Sequence, residues 1–201
     1  MHLRPRDRDD AGFSIIELIA AMAVFAVLLL VFAKAIGLMT VTTARVTANT
    51  NSATQMRQAT DLLSRQLGVA AATNSPVKVG SVWYLEFETD AVAAGTDPVC
   101  TQWRYTAATG RLEYRTWSTV RLVASAWFAA ARNLVNDPVT QPPFTVYPSD
   151  TGFSLPRMAV DLVARTSQGN VLETEGQYTL RNATAAGPPS ASTVCTQLGR
   201  P

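Results

Sequence analysis

Glu17 is a carboxylate without an obvious partner. From Phe13 to Ala33 the chain reads FSIIELIAAMAVFAVLLLVFA, and Ser14 and Glu17 alone interrupt its apolar character. At the centre of a bilayer a carboxylate costs up to about 3 kcal/mol, and less near an interface, so an ionisable side chain in such a stretch is a functional candidate by default. Arg4, Arg6 and Arg8 are the nearby cations. The plainer alternative seats Glu17 at headgroup level, near a helix N-terminus, where the macrodipole favours an anion.

The remaining chemistry-bearing residues form no catalytic set. His2 is the sole histidine, which argues against a Ser-His-Asp or Cys-His machine and most zinc sites. Ser14, Ser52 and Ser154 have no base close by in sequence, no GxSxG is present, and no glycine-rich phosphate loop occurs. A net charge of +2 gives no reason to expect nucleic acid binding. Asp90, Asp97, Asp137 and Asp150 fall in loops and could hold calcium, but solvated turn residues are the simpler reading, and we assign no metal or cofactor. Trp83, Trp103, Trp117 and Trp127 are read as core and packing residues rather than a binding face. Asn182-Ala183-Thr184 fits a glycosylation acceptor by pattern only. Cys100 and Cys195 are an even pair, which in an exported chain is expected to form one disulfide closing a long loop.

The elements that must position these residues begin with a polar leader, MHLRPRDRDDAG, followed abruptly by the apolar run. Twenty-one residues as a helix span roughly 31 Å, enough to cross a bilayer core. The segment is apolar all round, as a lipid-embedded helix should be. Lys34, directly after it, is expected to snorkel to the interface.

The string Gly12-Phe13-Ser14-Ile15-Ile16-Glu17-Leu18 resembles the class III signal of type IV prepilins and pseudopilins. That signal is a short charged leader, a glycine, a phenylalanine, a glutamate five residues in, and a long apolar helix. The resemblance implies cleavage after Gly12 by a membrane-embedded aspartic peptidase, which then methylates the new amine of Phe13. It also implies that Glu17 of one subunit neutralises the Phe13 amine of another, which supplies the partner each buried charge needs. A glycine before the cut leaves room for the peptidase. The implied partners are other pilin or pseudopilin subunits, the prepilin peptidase and methyltransferase, an inner-membrane assembly platform and lipid. The chain departs from the pattern in two respects: Asp7, Asp9 and Asp10 nearly cancel the leader arginines, and Lys34 directly follows the apolar run. A rival is a secretory signal cut at Ala33-Lys34-Ala35, releasing a soluble protein from about Ile36, but its apolar run would be long and Glu17 would spoil its start.

Helical character continues to about Leu67, with Ala53, Met56, Leu63 and Leu67 on one stripe. Thr40 to Thr54, rich in threonine and asparagine, is expected to bend or fray. Gly68 and the run to Pro76 form the stop. Strands are then expected at Val82–Glu88, Cys100–Thr106, Arg111–Trp117, Phe144–Tyr147, Met158–Arg165 and Asn170–Arg181. The stretch WRYTAATGRLEYR resembles a hairpin of J- and W-type minor pilins and pseudopilins. Thr119 to Asn136 is open between a helical turn, favoured by its alanines, and the strand-edge connection the family would place there.

The expected fold is α+β: a long N-terminal helix, transmembrane in its first half, packed on a small antiparallel β head. The expected divisions are a leader at 1–12, a transmembrane helix at 13–36, an exported helical half at 37–68, a β head at 77–182 and a flexible tail at 183–201, with Cys195 pinned back to the strand bearing Cys100. The resemblance implies a minor pilin or pseudopilin that assembles into a type IV pilus-like or type II secretion-like filament, anchored in the inner membrane with its head exported. The alternative is a single-pass anchored binding module that does not polymerise, for which Glu17 would have no use. A secreted hydrolase is disfavoured by the missing histidine.

Overall fold

The computed structural model describes residues 14–90, 95–166, 169–181, 194–195 and 198. Among the described residues one α-helix, α1 (Ile15–Gly68), is followed by nine β-strands, all paired antiparallel, and the fold is α+β. The chain divides into two compact units, residues 1–46 and 47–201.

In the first unit α1 buries nothing. Its large apolar side chains from Ile15 to Val46 are between 49% and 78% exposed. The helix does not fray through its threonines. Thr40 donates its hydroxyl to the carbonyls of Ile36 and Gly37, and Thr42 donates to Leu38. Each hydroxyl is satisfied one turn back, so it does not compete for the helix's own ladder. The expected fraying over Thr40 to Thr54 is therefore not seen, and α1 is assigned as one helical element to Gly68.

In the second unit the helix regains an inner face. Ser52, Met56, Ala59, Thr60, Leu63 and Leu67 are buried, spaced three or four apart as one side of a helix requires. Arg57, Asp61 and Arg65 are exposed.

Six strands make the first sheet: β1 (Ala72–Thr73), β2 (Val77–Val79), β3 (Val82–Thr89), β4 (Val99–Thr106), β5 (Arg111–Ser118) and β6 (Phe128–Ala131). Its order is β1-β3-β4-β5-β6, and β2 pairs with β3 as well. Thr119 to Asn136 thus resolves as a loop leading into an edge strand, not a helical turn. The second sheet is β7 (Phe144–Tyr147), β8 (Arg157–Arg165) and β9 (Val171–Thr179), in that order.

A single core joins helix and sheets. Met56, Leu63 and Leu67 of α1 meet Leu85, Phe87, Trp103, Tyr105 and Leu112 of the first sheet and Phe144, Met158, Val160 and Leu162 of the second. Trp103, fully buried, stacks on Tyr114 with ring centroids 5.0 Å apart and donates its indole N–H to Gln66 at 2.8 Å. The segment after β6 stitches the sheets together. The Leu134 amide donates to the Gly110 carbonyl, and Leu134 forms a β-bridge with Ala164. Asn136, 3% exposed, donates its side-chain amide to the Asp161 and Gln141 carbonyls and accepts the Val163 amide.

Candidate processing and assembly segment

Glu17 lies in the first turn of α1. The Ser14 carbonyl accepts the amides of Glu17 at 3.0 Å and Leu18 at 3.1 Å, so the helix opens at Ser14. The first turn of a helix carries unpaired amide groups and the positive end of the macrodipole, and a carboxylate there is favoured. Glu17 is exposed among exposed apolar neighbours, and among the described residues no ion pair of it occurs within the chain. Gly12 and Phe13 lie outside the described residues. From Ile15, α1 is long and apolar enough to cross a membrane, and the apolar window that meets this test is wholly unburied. A core helix would hide that surface; this one presents it on every side, as a helix solvated by lipid does.

Residues 7–33 match the prokaryotic N-terminal methylation motif. The chain therefore carries a type IV prepilin-like N-terminal signal, and the matched residues include Gly12, Phe13 and Glu17. No curated protein and no solved structure matches the chain significantly.

The other sequence candidates fall in separate places. Cys100 of β4 and Cys195 are joined by a disulfide, with Cα atoms 5.6 Å apart, and Trp117 packs beside them. Glu88 brings a carboxylate close to both sulfurs, but sulfurs bonded to each other are not thiolate ligands, so the trio is no metal site. The loop aspartates serve their own turns. Asp97 accepts the Ser118 hydroxyl and pairs with Arg121. Asp137 accepts the amides of Val139 and Thr140, which hold its carboxyl below the usual range. Asp150 accepts the amides of Gly152 and Phe153 and pairs with Arg157 at 3.0 Å. The tryptophans divide likewise: Trp103 and Trp117 are buried, Trp83 donates to the Pro138 carbonyl, and Trp127 lies over the guanidiniums of Arg104 and Arg115 at 3.9 and 4.7 Å. Asn182 lies outside the described residues.

One polar assembly escapes a reading by sequence. Across the face of the first sheet turned from the core, Arg115 of β5 donates to the Gln102 side chain of β4 at 2.7 Å. Gln102 donates to Glu86 of β3 at 2.6 Å, and Asn74, just past β1, donates to the other Glu86 oxygen at 2.9 Å. Glu86, Gln102 and Arg115 are directly opposite one another in register. Burial, and then the neighbouring charge of Arg104, push the Arg115 pKa down. Alternation in VWYLEFE marks Glu86 as solvent-facing, yet it is 3% exposed. The only sequence signal was a polar residue at the same register on three successive strands.

Proposed function

We propose that the chain is a filament subunit of the minor pilin or pseudopilin kind, made as a precursor, cut after Gly12 and methylated on Phe13. The observation that carries this reading is the methylation motif running without a break into an apolar helix exposed on all sides. Cleavage converts Phe13 from a mid-chain residue into a free ammonium at the start of α1. In hydrocarbon that ammonium and the Glu17 carboxylate each need an opposite charge. A charge pair between Phe13 of one subunit and Glu17 of the next satisfies both and sets the axial register between subunits. Until that pairing, the apolar half of α1 holds the subunit in the inner membrane with the β head exported. The working partners are other pilin-like subunits, the prepilin peptidase and methyltransferase, and an inner-membrane assembly platform.

The test is the mature N-terminus, read by mass spectrometry on protein from cells that carry the processing machinery. A chain beginning at methylated Phe13 supports the reading. A chain beginning near Ile36 would replace it with a secreted soluble protein, and an intact Met1 in cells with an active peptidase would leave a plain membrane anchor.

A further inference from the structure

The Asn74 side chain is arranged to recognise a peptide group. It is 1% exposed, and both ends of its carboxamide meet the same residue of the C-terminal segment. Its Nδ2 donates to the Val194 carbonyl at 2.6 Å, and its Oδ1 accepts the Val194 amide at 3.2 Å. This is the paired exchange that a neighbouring residue of an antiparallel strand would make, supplied by a side chain instead.

The orientation of the carboxamide is dictated from below. The second hydrogen of Nδ2 goes to Glu86, whose carboxylate can only accept, so the nitrogen and oxygen of Asn74 cannot be exchanged. Glu86 is in turn held by Gln102, and Gln102 by Arg115. The Asn74 backbone is fixed as well, since its amide donates to the Glu86 carbonyl at 2.8 Å. The receptor is thus built from the folded sheet before Val194 arrives. One residue further on, Cys195 takes a positive φ of 56°. The peptide group held in this way is next to the half-cystine.

We propose that Asn74 is a docking receptor for the C-terminal segment that acts without the disulfide, holding Val194 so that the Cys195 thiol is presented to Cys100. Oxidation then follows docking: the protein dithiol and glutathione disulfide give the protein disulfide and two glutathione thiols. Asn74 is a positioning residue for this exchange, because it touches neither sulfur and acts through the Val194 peptide. Two part-buried neutral hydrogen bonds place its effect at about tenfold in the exchange equilibrium.

The experiment uses the full chain in detergent micelles with both cysteines replaced, C100S/C195S, and follows amide exchange by mass spectrometry. The peptide containing Val194 should exchange at least about tenfold more slowly than an unstructured peptide, and adding N74A should abolish that protection while β3 and β4 stay protected. Free exchange at Val194 in C100S/C195S, with the sheet still protected, overturns the proposal. If the double variant loses the sheet, wild type and N74A are instead equilibrated in glutathione buffers, alkylated and weighed. N74A should then need about tenfold more oxidising buffer for half-oxidation, and an unchanged midpoint overturns the proposal equally.

Discussion

Asp161 of β8 sits directly opposite Glu175 of β9, with Glu173 one pair further along the same face. Burial, followed by repulsion from Glu173 and Glu175, raises its pKa, although a hydrogen bond from the Gln141 side chain works the other way. A raised folded-state pKa means the folded protein holds this proton more tightly than the unfolded chain. The associated stability is present below the unfolded pKa and is lost as pH rises through the folded one. Asp161→Asn should therefore raise the melting temperature at neutral pH and flatten its fall between mildly acidic and neutral pH, as calorimetry across that range would show. A second prediction concerns Glu17. Glu17→Ala should leave membrane insertion intact and prevent co-purification with assembled filaments; normal incorporation would remove charge pairing from the mechanism. Glu17 and Glu86 differ in how plainly the sequence displays them. Glu17 stands out because every neighbour is apolar. Glu86 is buried and bonded to Asn74 and Gln102 in the fold, but its strand alternates, and Asn74 is itself bonded to Val194, 120 positions away.

At the scale of elements, the turn between β4 and β5 depends on Gly110. Its φ is +59°, and a Cβ there would lie 2.5 Å from the Leu134 carbonyl oxygen, in the segment that bridges to the second sheet. Gly110→Ala should destabilise the head by about 2–3 kcal/mol in urea titrations followed by tryptophan fluorescence. Gly80→Ala is the control: it has the same φ with nothing within 4 Å, and should cost only about 1 kcal/mol. The long strands were legible because period-two alternation and turn residues bound them: β3, β4, β5, β7, β8 and β9 all lie within two residues of their expected limits. β1 and β2, of two and three residues, carry too few positions to show a period and exist because β3 offers them an edge. β6 reads FAAA, a composition that favours helix, and pairing with β5 overrides it. Thr40 and Thr42 misled in the other direction, because propensity counts a threonine as weak without knowing where its hydroxyl turns.

For the molecule as a whole, residues 47–201 hold a core of their own, and the exposed apolar surface of α1 belongs to residues before them. A fragment beginning at Thr47 should fold without detergent, with Cys100 and Cys195 joined, as circular dichroism and thiol titration would report; aggregation of a correctly oxidised fragment would sink this expectation. The covalent link also has a mechanical meaning. Cys100 and Cys195 are 95 positions apart, and the chain enters that loop through β4 in the interior of the first sheet. A pull between the membrane helix and any point beyond Cys195 passes directly from one half-cystine to the other. The enclosed residues carry no tension, and roughly 320 Å of contour, at about 3.4 Å per residue, stays out of the load path. Under force the chain can lengthen only through the parts outside that loop, before Cys100 and after Cys195.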